Sequence, residues 1–138
     1  MDIYLLQGLQ ERRVGQNNYS IKANYRISGS EINATSDERA KEEITPFDSE
    51  LCYNLINQLE QKHYKLKSDG LYKVGVIAQD VEKIFPNCVY QSEQGDIPDF
   101  RTIDHSQITC LLVGAVKYLS NEVNNLKNQL IINDQPSQ

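Results

Sequence analysis

Apolar side chains recur at Leu112, Val116, Leu119, Val123, Leu126 and Leu130, with spacings of 4, 3, 4, 3 and 4. That is the seam of a heptad repeat, valine or leucine at a and leucine at d. Glu122 falls at g and Lys127 at the following e, the pair that bridges parallel helices. Beyond residue 120 the seam is flanked by Ser120, Asn121, Asn124, Asn125 and Asn128. A helix polar over so much of its surface suits a coiled coil better than a globular core. The alternative is a single helix docked on its own domain, because the stripe runs for under three heptads. Valine at a with leucine at d favours two strands in isolated peptides. Val113 and Ala115, beside the seam, would widen the contact.

Upstream the periods are shorter. Tyr19, Ile21, Ala23, Tyr25 and Ile27 alternate with polar residues, which predicts a strand with one buried face, closed by Gly29 and Ser30. Its two tyrosines suit packing against another chain as well as against its own. After Pro46, Asp48 or Ser49 caps a helix whose inner face is Leu51, Cys52, Leu55, Ile56 and Leu59. His63 to Leu66 and Leu71 to Ile77 read as strands joined by a Ser68-Asp69-Gly70 turn. A short helix opens at Gln79-Asp80 and ends at Pro86; Cys88 to Tyr90 is a short strand. Residues 91–99, with Gly95 and Pro98, read as a polar loop, and Phe100 to Ile103 as a last strand. The fold class is α+β: a small mixed domain of short strands and helices, with a β-stranded N-terminal segment and a long C-terminal helix.

Candidate chemistry is sparse. Ser36 is followed five positions later by Lys41. A serine hydroxyl needs a base at neutral pH, and a desolvated lysine amine can serve. The same residues also read as a plain helix start, a Ser36 cap followed by acidic Asp37 and Glu38, with Lys41 on a solvated face. Spacing alone does not separate the two. On one ideal α-helix, side chains five residues apart diverge by about 140°. A working pair therefore requires Ser36 to precede the helix, or a neighbouring chain to supply one partner. Gln79 likewise reads either as a first-turn residue bonding the backbone or as a supporting partner of Ser36.

Two stretches taken together narrow the choice. Ser-Asp-x-Arg-x-Lys-x-x-Ile begins at Ser36, and Gly-x-Ile-Ala-Gln-x-Val-x-x-x-x-Pro-x-x-Val begins at Gly75. In order and spacing they resemble the C-terminal intramolecular chaperone domains of phage tailspikes, tail fibres and neck appendages, the S74 peptidase family, to which the autocleavage domain of the myelin regulatory factor is related. The resemblance runs from about Ser36 to Leu130. It implies a homotrimer in which Ser36 attacks the Thr35 carbonyl and Lys41 is the base, so that the chain cuts itself between Thr35 and Ser36. Asp37, Arg39, Gly75 and Gln79 would support the site. Residues 1–35 would be the end of a stalk or fibre, 36–104 the chaperone core, and 105–138 the coiled-coil helix and tail. Partners would be two further copies and the upstream fibre of the same polypeptide. Assembly would take place in the host cytoplasm, with the fibre kept in the virion. Against the local two-strand rule, the family favours three chains. The rival reading is a trimerisation cap that keeps the motif for its fold and does not cleave.

Composition adds exclusions. With 138 residues, 39% hydrophobic, no tryptophan and a mean hydropathy of −0.56, one chain has material for only a thin core. A net charge of −5 gives no basic footprint for nucleic acid. No apolar run approaches the ~20 residues that span a bilayer. Cys52, Cys88 and Cys110 are odd in number and lack metal-ligand spacing, and His63 and His105 stand apart. Neither a metal nor a cofactor is expected, and the cysteines read as small apolar residues of a reducing compartment.

Overall fold

Asp48 turns its carboxylate onto the backbone N–H of Leu51, 2.7 Å away, and so starts helix α1, Ser49–Gln58. In the computed structural model, which describes residues 21–23 and 26–134, three helices and two antiparallel two-stranded sheets follow the chain in order. Strands β1 (Lys62–Lys65) and β2 (Tyr72–Gly75) pair with Lys62 opposite Gly75 and Lys65 opposite Tyr72. Their connection is the expected turn. Asp69 accepts from the Leu71 N–H at 3.0 Å, and Gly70 takes φ +72°, a region costly for any residue with a Cβ. Helix α2, Ala78–Ile84, stops before Pro86, which opens a single 3₁₀ turn, Pro86–Cys88.

The next segment corrects the loop expected over residues 91–99. Strands β3 (Val89–Gln94) and β4 (Ile97–Ile103) form a hairpin, with Val89 opposite Ile103 and Gln94 opposite Ile97. Gly95 leads the two-residue turn at φ +56°, the pattern of a type II′ connection. Gln91 to Gln94 are polar on both faces, so no alternation was there to read. Pro98 is tolerated because each strand of a two-stranded sheet is an edge.

Asp104 caps helix α3, His105–Asn133, accepting from the Ser106 N–H at 2.9 Å. Its 29 residues span about 43 Å. The helix has two apolar faces. Leu111, Gly114 and Ala115 are buried, and the helix packs along α1, with the Tyr118 ring tilted against that of Tyr53 at 4.9 Å. Leu112, Val116, Leu119, Val123, Leu126 and Leu130 lie 45–65% exposed. The helix therefore docks on its own domain through one face, while the residues of the expected coiled-coil seam lie exposed on another. Ala115 is corrected by this: at 4% exposure it belongs to the domain core and does not widen the stripe.

That core is small. Cys52 and Leu55 from α1, Val81 and Phe85 from around α2, Cys88, Val89 and Leu111 form one buried cluster, with Val81 and Cys88 wholly enclosed. Burial pushes the Cys88 thiol up to about 11, so Cys88 stays a protonated, inert packing residue. Cys110, in contrast, is exposed. Helices α1 and α3 approach closely at Gly114, where an added Cβ would stand 2.6 Å from the Cys52 Cβ. Gly114→Ala must push α1 and α3 apart. It is expected to cost about 1–3 kcal/mol in a denaturant melt, despite the better helix propensity of alanine.

The strand expected from Tyr19 to Ile27 is not formed over residues 21–23 and 26–29, and Ile21 and Ile27 are exposed; Tyr19 and Tyr25 lie outside the described residues. A strand needs a neighbour's ladder for its N–H and C=O groups, and the described residues place none there. No helix among the described residues is long and apolar enough to cross a membrane.

Candidate functional site

Four of the residues singled out by the first motif meet within one turn of chain. Asp37, in extended conformation, caps a 3₁₀ turn at Glu38–Ala40 and accepts from the Arg39 N–H at 2.9 Å. The Arg39 guanidinium closes back on the same carboxylate, Nε to Oδ1 at 3.0 Å and Nη2 to Oδ2 at 2.8 Å. These hydrogen bonds hold the Asp37 carboxyl below the ordinary carboxylate range and raise Arg39. With a depressed folded value, the clasp is intact above the usual carboxylate range and lost as pH falls through that lowered value. It lies at the surface and serves to shape the turn.

Lys41 ends the turn, its N–H bonded to the Glu38 carbonyl at 3.0 Å. One tight turn with extended residues on either side returns the chain on itself. The Lys41 Nζ stands 2.6 Å from the Ser36 Oγ and 3.3 Å from the Ser36 carbonyl oxygen. Ser36 lies ahead of the helical turn, which is the arrangement the 140° argument required, and the pair forms within one chain. The helix-start alternative fares differently: the cap is Asp37, and the Ser36 hydroxyl faces lysine. Two residues on, Glu43 adopts φ +52° and redirects the backbone towards α1. Glutamate carries no sequence signal for that conformation, and the position was missed.

Thr35, Ser36 and Lys41 are all exposed, so one chain by itself does not desolvate the lysine amine. Gly75 ends β2, and a Cβ there would stand 3.0 Å from the Tyr64 phenol oxygen. Gln79 sits exposed in the first turn of α2. Among the described residues no hydrogen bond joins Gly75 or Gln79 to Ser36 or Lys41. A cleft of about 350 Å³ between α1 and α3, lined by Phe47, Cys52, Phe85, Cys110 and Val113, contains neither Ser36 nor Lys41. His63 stacks on Tyr72 at 5.0 Å, and no cluster of metal-ligating side chains occurs among the described residues.

The molecule is thus a small α+β domain that opens on a Ser–Lys contact and closes on a helix with an unpartnered apolar stripe. Residues 36–90 match the family Peptidase S74, described as chaperone of endosialidase, a span that holds both stretches beginning at Ser36 and Gly75. The chain is also similar to long tail fiber proteins Gp37. It is 29% identical over 106 residues to that of Salmonella phage S16, covering 72% of this chain and 14% of the relative. To that of Enterobacteria phage M1 it is 41% identical over 58 residues, 42% of this chain and 23% of the relative. The figures for Enterobacteria phage Ox2 are 42% over 55 residues, 40% and 22%. The chain spans less than a quarter of the length of each of these relatives.

Proposed function

We propose that this chain is the self-releasing, trimerising chaperone segment of a phage fibre, and that it cuts itself between Thr35 and Ser36. The observation that carries the reading is the 2.6 Å approach of the Lys41 Nζ to the Ser36 Oγ, where the family match begins. In the proposed reaction a neutral Lys41 accepts the hydroxyl proton as the Ser36 Oγ adds to the Thr35 carbonyl carbon. Collapse breaks the Thr35–Ser36 C–N bond, and the lysine returns the proton to the leaving Ser36 nitrogen. The ester left between Thr35 and the Ser36 side chain is then hydrolysed. Water supplies the hydroxyl to the Thr35 carboxylate, and the serine is regenerated at the head of residues 36–138. Asp37 and Arg39 hold the turn that keeps the two side chains in reach. No metal or cofactor enters the step.

The exposed apolar stripe of α3 supports the same reading from the other end of the chain. The domain core packs on a face of α3 beside the exposed stripe, roughly 100° round the helix from it, which leaves the stripes of three chains free to meet on an axis. Chains gathered in this way raise the effective concentration of the fibre strands upstream and set their register. Neighbouring chains would also enclose the Ser36–Lys41 turn and supply the desolvation that one chain lacks. Loss of the chaperone after folding leaves the fibre kinetically trapped.

The mass spectrum of freshly purified protein tests the reading. Self-processing gives two fragments divided at Thr35–Ser36. A single intact chain, after prolonged incubation as an assembled species, identifies a non-cleaving cap.

A further inference from the structure

Resting on that reading, we propose that the two hairpins form a salt-sensitive latch for the segment upstream of the cut, so that cleavage and separation are distinct events. The occupant is the segment of the same polypeptide that carries Ile21, Lys22, Ala23 and Arg26. The Lys22 Nζ donates to the Glu93 carbonyl oxygen at 2.6 Å, near the end of the β3–β4 hairpin. The Arg26 Nη2 donates to the Asp69 Oδ2 at 3.1 Å, in the turn of the β1–β2 hairpin. Both hairpins are therefore held at their tips, 71 and 43 residues from their partners in sequence. Ile21, Lys22 and Ala23 also wall one side of a cleft of about 420 Å³ whose other side is Tyr90, Ser92 and Thr102.

Charge favours the same pairing. Lys22 and Arg26 are the only charged side chains between residues 14 and 30, whereas residues 36–138 carry sixteen acidic and ten basic side chains. A cationic segment thus meets an acidic domain, and neither latch contact contains a residue of the Ser36 turn. Cutting the Thr35–Ser36 bond leaves both contacts in place. Arg26 and Asp69 are 72% and 37% exposed, so their attraction is screened by salt and is weak singly. Three copies in one assembly would act together.

The experiment compares denaturing gels with size exclusion at about 50 mM and about 500 mM salt, a range that shortens the screening length to a few ångströms. Fragments resolved on the gel are expected to co-elute at low salt and to part at high salt. Arg26→Gln and Lys22→Gln should each speed separation about two- to five-fold, the range for one exposed pair, while Arg26→Lys should retain most of the hold. Separation at equal rates in both salts, or at the wild-type rate in Arg26→Gln and Lys22→Gln, overturns the latch. If the gel shows an uncut chain, a site-specific protease sequence inserted between the exposed Gly29 and Ser30 makes the break. Co-elution is then scored in the same way, so failure of self-cleavage and failure of the latch are read separately.

Discussion

Leu119→Asp with Leu126→Asp is expected to reduce the proposed trimer to single chains of 15.8 kDa by light scattering, measured in a Ser36→Ala background so that cleavage does not complicate the mass. The reasoning starts from exposure. In one chain these leucines are 46% and 58% exposed and take no part in the buried cluster, so aspartate there leaves the domain intact. At the axis of a trimer the same substitutions bring six carboxylates into two layers that would otherwise exclude water. An unpaired charge in such a place costs several kcal/mol, against about 1.5–3 kcal/mol gained for each leucine buried. Leu111→Asp is the contrasting control: at 4% exposure it lies in the core, and it should unfold the domain itself. A double variant that keeps the wild-type mass removes the stripe as the interface. A wild-type mass of two chains would instead favour the rule that valine at a and leucine at d make dimers.

Sequence periodicity succeeded where one face of an element meets its own domain. Helix α1 was legible from the Asp48 cap and the Leu51, Cys52, Leu55, Ile56, Leu59 face, and the β1–β2 turn from Ser68-Asp69-Gly70. It failed where burial is incomplete. The β3–β4 hairpin has polar residues on both faces at Gln91 to Gln94, so its turn at Gly95 looked like the middle of a loop. In α3 the seam stood out because its flanks are polar, but Ala115 gave no hint that it faces the domain. A small side chain fits either surface, and the decisive contact, Gly114 against Cys52, joins residues 62 positions apart. From spacing alone the Ser36–Lys41 approach was legible only as a condition on where the helix starts; the pairing itself came from the family resemblance. The 3₁₀ turn capped by Asp37 meets that condition, and the left-handed Glu43 that follows has no counterpart in residue preference.

Ser36→Ala and Lys41→Arg should both abolish the cut between Thr35 and Ser36, for different reasons, while the fold remains. Alanine removes the oxygen proposed to attack, and no other hydroxyl lies on the 36–41 turn. Because Asp37 and not Ser36 caps that turn, the stability lost should stay within about 0.5 kcal/mol, the usual range for an exposed site. Arginine keeps the charge and roughly the reach of Lys41, but a guanidinium with a pKa above about 12 does not take up the hydroxyl proton. Loss of a positioned base typically lowers such a step by about 10²–10⁴-fold, enough to turn complete processing into an intact band over the same hours. Asp37→Ala provides the graded case. It frees Arg39 and loosens the turn without touching either reacting group, so cleavage should slow and not vanish. Time courses of fragment appearance for the four proteins, with melting temperatures alongside, separate these outcomes. Cleavage of Lys41→Arg at the wild-type rate would show that the lysine is not the base, and the 2.6 Å contact would then be a hydrogen bond that steadies the turn.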